Sequence, residues 1–150
     1  MKKFKFSLDT VLSYKQQVLE ALQGEHALAL AAVREQEALL ENLWQEYRDY
    51  NAEYRHRAEE GLLLTEALMY QNGLRAAERE IQRETARLEE LQAEEEKRRE
   101  KVVEAKKDTS SIEKLKEKKL EAYNKAVQKS EEKLIDEFVT TKRVMEAQSA

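Results

Sequence analysis

Apolar residues recur at alternating three- and four-residue steps along almost the whole chain. One series runs Leu8, Leu12, Leu19, Leu22, Ala29, Val33, Leu40, Leu43, Tyr47, Tyr50 and Tyr54. A second runs Leu74, Ala77, Ile81, Leu88, Leu91, Val102, Ala105 and Ile112. A mean step of about 3.5 residues keeps one helix stripe facing another over a long distance. The pattern therefore predicts long helices joined along a seam, an all-α chain with no globular core. Proline would interrupt such helices by removing a hydrogen bond and clashing with the preceding turn, and the 150 residues contain none.

The boundaries follow from local chemistry. Ser7 is a candidate N-cap, Asp9 suits the positive end of the helix dipole, and Phe6 could staple onto Val11. Helix 1 is expected over about 8–60, tolerating Gly24 at a cost of about 1 kcal/mol. Glu59-Glu60-Gly61 marks a break, with the turn at about 61–64 and Thr65 as a new N-cap. Helix 2 is expected over about 65–147, the whole forming a single coiled-coil domain over residues 1–150. Asn72-Gly73, a common turn dipeptide, is a second candidate break.

The two breaks give different antiparallel registers. A turn near residue 62 sets Leu43 against Ile81, Val33 against Leu91, Leu22 against Val102 and Leu12 against Ile112. A turn near 72–73 sets Leu64 against Ile81, Leu43 against Val102 and Val33 against Ile112. The registers differ by three heptads, so periodicity alone accepts both. A phase slip favours the first. Past Ile112 and Leu115 the stripe restarts as Leu120, Tyr123, Val127, Leu134, Phe138 and Met145, and a shifted heptad marks where a coil changes winding or pairing ends. With the earlier turn, helix 1 runs out opposite about residue 116. Residues from about 118 onward would then project as a lone helix of roughly 45 Å at about 1.5 Å per residue.

Composition narrows the function. Charged residues make up 39% of the chain, and 31 acidic and 27 basic residues are mixed to a net charge of −4. Such mixing describes a solvated helix face; Glu94–Arg98, Glu95–Arg99 and Glu121–Lys125 have the favourable acid-first spacing. With a pI near 5.5 and no basic block, nucleic acid is not an expected partner. The absence of cysteine removes disulfides and thiolate metal sites and fits a reducing compartment. The start MKKFKFSLDTVLSYKQQ is basic but lacks the apolar run of a signal peptide. No segment offers the roughly 18–20 apolar residues needed to span a bilayer. A cytoplasmic protein without direct membrane insertion is expected.

Candidate chemistry is sparse. His26 falls on the seam, opposite Arg98 in the preferred register, and His56 falls off it; neither has metal-ligand company. The Glu–Glu neighbours are solvated, whereas a general acid needs a desolvated site to raise its pKa. There is no glycine-rich phosphate loop and no Ser/His/Asp arrangement. The chain is not expected to be an enzyme or to hold a metal or other cofactor. Tyr47, Tyr50 and Tyr54 are seam positions with Trp44 beside them, expected as bulky core near the turn. If helix 1 stops short, Leu120, Tyr123, Val127, Leu134 and Phe138 form an exposed stripe of the kind that marks a binding surface.

Three stretches resemble the flagellar export protein FliJ family. They are Phe4-Lys5-Phe6-Ser7-Leu8 leading into Val11-Leu12 and Tyr14, the run Ile112-Glu113-Lys114-Leu115-Lys116-Glu117-Lys118-Lys119 followed by Tyr123, and Asp136-Glu137-Phe138. Their order, the length and the lack of proline extend the resemblance over essentially the whole chain. The resemblance implies a long antiparallel two-helix coiled coil with unequal helices, similar to the central stalk of rotary ATPases, and a turn near Gly61. It implies a component of the flagellar type III export apparatus at the cytoplasmic face of the inner membrane. The implied partners are the export ATPase hexamer, the membrane export gate protein and export chaperones. The end carrying both termini would enter the ATPase ring, making Phe4, Phe6, Leu134 and Phe138 candidate ring contacts. The gate contact would lie early in helix 2, at Tyr70, Gly73, Leu74, Ala77 and Ile81. Here Gly73 departs from the family pattern, which can place a large apolar residue at this position.

Two other readings use the same periodicity. One is the stalk of a virulence type III secretion ATPase, separated from the flagellar reading by the Phe-Lys-Phe and Asp-Glu-Phe motifs. The other is a homodimeric scaffold pairing its seams between chains. A fold-back chain would instead be a monomer when free, near 17.6 kDa. The seam residues Leu12, Leu22, Val33, Leu43, Ile81, Leu91, Val102 and Ile112 carry the pairing in the preferred register.

Overall fold

The structure, a computed structural model, describes residues 2–149. It contains two helices, α1 (Asp9–Glu60) and α2 (Leu64–Gln148), with no strand among the described residues. They pack against each other as an antiparallel α-hairpin coiled coil with unequal arms. The hairpin reverses at Gly61, whose φ of 101° is the left-handed conformation that ends many helices and that side chains with a Cβ resist. The Gly61 amide donates to the Ala58 carbonyl, closing the last turn of α1. α2 begins one residue earlier than expected, with Leu63 accepting from the Ala67 amide. Thr65 thus lies inside the first turn and does not cap it.

Two compact units make up the chain, Glu20–Val103 and residues 2–19 with 104–149. In the first unit the interhelix pairs belong to the register of the earlier turn. Arg98 meets Glu25 at 2.7 Å, Gln36 donates to Glu84 at 2.6 Å, and Arg57 lies 3.8 Å from Glu66. Asn72-Gly73 does not break α2. Gly73 remains helical, and its lack of a side chain leaves room for the Tyr50 ring: a Cβ added there would lie 2.6–2.9 Å from Tyr50 atoms. Val33, Leu40 and Ile81 are buried, and Leu22, Leu43, Leu91 and Val102 are half-buried. This distribution is a seam, with each side chain wetted on its flanks.

In the second unit, Leu12 is buried and Ile112 half-buried, and Lys116 bonds Asp9 at 2.9 Å. α1 starts at Asp9, whose amide donates to the Phe6 carbonyl. Thr109 is only 3% exposed; its hydroxyl donates to the Ala105 carbonyl at 2.8 Å, so the buried polar group is satisfied. Residues ahead of α1 continue along α2 as a non-helical arm. Phe4 packs against Tyr123 with ring centroids 5.6 Å apart, Tyr123 donates to the Lys2 carbonyl, and Phe6 is buried while Val11 stays exposed. The expectation of a lone helix from about 118 is thereby corrected. Tyr123, against which the arm packs, is half-buried, as are Val127 and Ser130, and the fully exposed stretch of α2 begins at residue 131. The three expected i,i+4 ion pairs, Glu94–Arg98, Glu95–Arg99 and Glu121–Lys125, are formed at 2.9, 3.6 and 3.2 Å.

Candidate functional site

In Glu20–Val103 the aromatic residues form two groups. Tyr70 of α2 packs between Tyr50 and Tyr54 of α1, with centroids 5.1 and 5.3 Å away and tilted rings. Trp44 meets Tyr47 edge-on at 5.8 Å and 82°, an arrangement that sets a ring edge on a ring face. The tyrosine hydroxyls reach the opposite helix. Tyr47 donates to Glu78 at 2.9 Å, Tyr70 to Glu53 at 3.2 Å, and Tyr50 to the Met69 carbonyl at 3.5 Å. Both donors to glutamates are pushed above the ordinary phenol range. For Tyr47 the bond to Glu78 is the main cause, followed by desolvation; for Tyr70 desolvation leads and the bond to Glu53 follows.

Every member of the set Tyr70, Gly73, Leu74, Ala77 and Ile81 lies on one face of α2. That face packs toward α1. Tyr70 is in the aromatic ladder, Gly73 lies under Tyr50, Leu74 and Ala77 are half-buried, and Ile81 is 5% exposed. The outward side chains nearby are Leu63, Leu64, Leu68 and Met69. Periodicity places only Leu64 of these, against Ile81 in the register of the later turn, which the structure does not adopt, and it does not mark Leu63, Leu68 or Met69 as outward.

Beside this face, a groove follows one flank of the hairpin. Trp44 and Tyr47 of α1 form one wall; Ile81, Thr85 and Ala86 of α2 form the floor. Glu78, Gln82 and Glu89 complete it, so both ionisable groups lining it other than Tyr47 are acidic. Trp44 is 44% exposed. A neighbouring depression on α2 has the opposite sign, with Arg79 and Arg83 along its edge.

The four candidate ring-facing residues divide in the terminal unit. Phe4 and Phe6 are engaged within the unit, Phe4 half-buried on Tyr123 and Phe6 buried. Leu134 and Phe138 are exposed, at 63% and 71%. They share a helix face with Met145, and Ile135, Val139 and Val144 widen it.

The histidines depart in one respect from the sequence expectation. His26 pairs with Glu95 at 2.8 Å, while Arg98, expected opposite it, turns to Glu25 and Glu94. The carboxylates divide the two side chains between them, Glu95 taking the imidazole and Glu25 and Glu94 the guanidinium, whose N–H groups only donate. His56 lies 3.4 Å from Glu60 on its own helix. No group of three His, Cys, Asp or Glu residues suited to a metal ion occurs among the described residues, and no helix there is long and apolar enough to cross a membrane.

With this geometry in place, comparison with known proteins gives one match. A family described as flagellar FliJ protein matches residues 4–146. No curated protein and no solved structure matches the chain.

Proposed function

The chain belongs to the flagellar FliJ protein family, the flagellar type III export apparatus is where that family works, and on this premise we propose that it acts as a non-enzymatic stalk and adaptor. Its partners on this reading are the export ATPase hexamer, the membrane export gate and export chaperones. It works as one coiled-coil domain, a monomer when free, at the cytoplasmic face of the inner membrane. The observation that carries the reading is the stretch 131–149, exposed throughout yet bearing Leu134 and Phe138 on one face. An apolar stripe on a helix that its own chain does not cover is suited to a partner's groove.

The ring contact is therefore assigned to Leu134 and Phe138, with Phe4 holding the arm against α2 at Tyr123 and Phe6 buried. The gate contact is assigned to the accessible edges of Tyr70, Leu74 and Ala77. Gly73 and Ile81 support that surface from beneath, Gly73 by admitting Tyr50 and Ile81 by anchoring the seam. The mechanism is mechanical: an asymmetric coil inside a symmetric ring holds its subunits in unequal states. The test is a Leu134→Glu, Phe138→Glu double variant, measured for binding to the ATPase ring and for helicity. Binding should fall by about tenfold or more, since two anchor side chains are each commonly worth 1–2 kcal/mol or more, with helicity unchanged. Unaltered ring binding would remove these residues from the contact.

A further inference from the structure

The flank groove of Trp44, Tyr47 and α2 has a chemistry that the stalk reading does not use. Along α2 its residues Glu78, Gln82, Thr85 and Glu89 follow steps of four, three and four. That is the spacing of a helix stripe that meets another helix. Glu78 and Glu89 stand at the two ends, about 16 Å apart along the axis at about 1.5 Å per residue. Between them Thr85 and Ala86 are small enough to let a third backbone approach, above Ile81, which the hairpin itself already buries. Trp44 stands partly exposed at the Glu78 end, its neighbour Tyr47 being held by the bond to Glu78.

We infer that this groove binds a helix of a partner protein that presents two arginines eleven residues apart. The charge pattern selects the occupant. Glu78 and Glu89 give the groove acidic ends, whereas the adjacent depression along Arg79 and Arg83 would repel the same helix. Arginine is favoured over lysine at the Trp44 end, because a planar guanidinium can lie on an indole face while offering N–H groups to the Glu78 carboxylate. The second arginine meets Glu89, and small apolar residues between the two cover Ala86. The inference stands apart from the assignment of ring and gate contacts, since it concerns the chemistry of one groove and any export component with such a helix would satisfy it.

Trp44 is the only tryptophan in the chain, so its emission reads occupation of the groove directly. The full-length protein is titrated with an amidated helical peptide about 18 residues long, built of leucine and alanine with two arginines eleven residues apart. A second peptide carries citrulline, neutral but of nearly the same shape, in place of both arginines. The arginine peptide should shift Trp44 emission and bind about tenfold more tightly than the citrulline peptide, which corresponds to about 1.4 kcal/mol. In a Glu78→Gln, Glu89→Gln variant of unchanged helicity that difference should fall to within about twofold, with citrulline-peptide binding unaltered. Glu89→Gln alone, which leaves the Tyr47 bond intact, should remove about half of the logarithmic difference. Equal binding of the two peptides, or a difference that survives the double substitution, would overturn the proposal. So would binding that leaves Trp44 emission unmoved. Loss of Leu134 and Phe138 contacts to the ATPase ring would not affect any of these readings.

Discussion

The two units bury the same kinds of side chain to different ends. In Glu20–Val103 each helix covers the other: Val33, Leu40 and Ile81 are buried and the tyrosines interleave across the seam. In residues 2–19 with 104–149, α1 covers α2 only in part, a non-helical arm takes over with Phe4 and Phe6, and residues 131–149 are exposed, with no described residue covering them. Apolar residues continue nonetheless, with Leu134, Ile135 and Phe138 as exposed as many charged side chains. A heptad stripe therefore signals helix-to-helix contact without saying whose helix completes it. Where the chain supplies its own partner the stripe is stability; where it does not, the stripe is available to another molecule.

Truncating one large apolar side chain in each unit breaks this comparison most directly. Ile81→Ala removes a buried anchor and should destabilise by about 2–4 kcal/mol, the transfer loss plus the unfilled cavity. Phe138→Ala deletes a larger side chain from water and should change stability by less than about 0.5 kcal/mol. Thermal or denaturant unfolding followed by helicity measures both. A comparable loss from the Phe138 variant would mean that residues beyond 131 are covered in solution.

The next largest effect comes from Gly73, where two terms oppose each other. Alanine gains about 1 kcal/mol over glycine within a helix. Its Cβ, however, would sit 2.6–2.9 Å from the Tyr50 ring, and overpacking of that kind typically costs about 1–3 kcal/mol. Gly73→Ala should therefore be destabilising by up to about 2 kcal/mol in the native background. In a Tyr50→Ala background the clash is gone, and the same substitution should stabilise by about 1 kcal/mol. A double-mutant cycle reads the change of sign; the same sign in both backgrounds would show that Tyr50 does not fill the space above Gly73.

Much of this architecture was legible in the residues. The seam residues Leu12, Val33 and Ile81 follow from spacing alone, and the reversal at Gly61 follows from glycine's access to positive φ. Periodicity could not choose between registers three heptads apart, and Asn72-Gly73 carried a local turn signal although α2 continues through it, with the Tyr50 ring packed against Gly73. Helical spacing also said nothing about a non-helical arm. It offered no sign that Phe4 would pack on Tyr123 or that Phe6 would be buried while Val11 stays exposed. For the same reason Tyr123 read as uncovered. The flank groove was hidden because its lining alternates between helices, with Trp44 and Tyr47 meeting residues 78–89 only after the chain reverses.

Thr109 tests the seam of the terminal unit on a smaller scale. It is buried although its immediate neighbours in sequence, Asp108 and Ser110, are polar, and its hydroxyl already bonds a carbonyl of its own helix. Thr109→Val removes a polar group from the seam and leaves the Ala105 carbonyl its backbone partner in the helix. The expected change lies between zero and about 1 kcal/mol of stabilisation, measured as a shift in the unfolding midpoint. A loss of more than about 1 kcal/mol would assign the hydroxyl a role across the seam, toward the Lys15 carbonyl 3.5 Å away.

The smallest effect is confined to the aromatic end of Glu20–Val103 and to alkaline pH. Tyr47 and Tyr70 have their phenols raised above the ordinary value of 10.0, Tyr47 chiefly by its bond to Glu78 and Tyr70 chiefly by desolvation. A group whose folded pKa lies above its unfolded one holds its proton more tightly when folded. Its contribution is therefore fully present below about pH 10 and is lost as pH rises through the folded value. Helicity and unfolding midpoints measured across that range should show the hairpin end loosening as the phenols ionise beside Glu78 and Glu53. Tyr47→Phe and Tyr70→Phe together should start from lower stability, having given up both bonds, and should flatten the tyrosine-dependent part of the alkaline decline. An equally steep decline in the double variant would place the titrating groups elsewhere and show that these two hydroxyls do not tie the helices together.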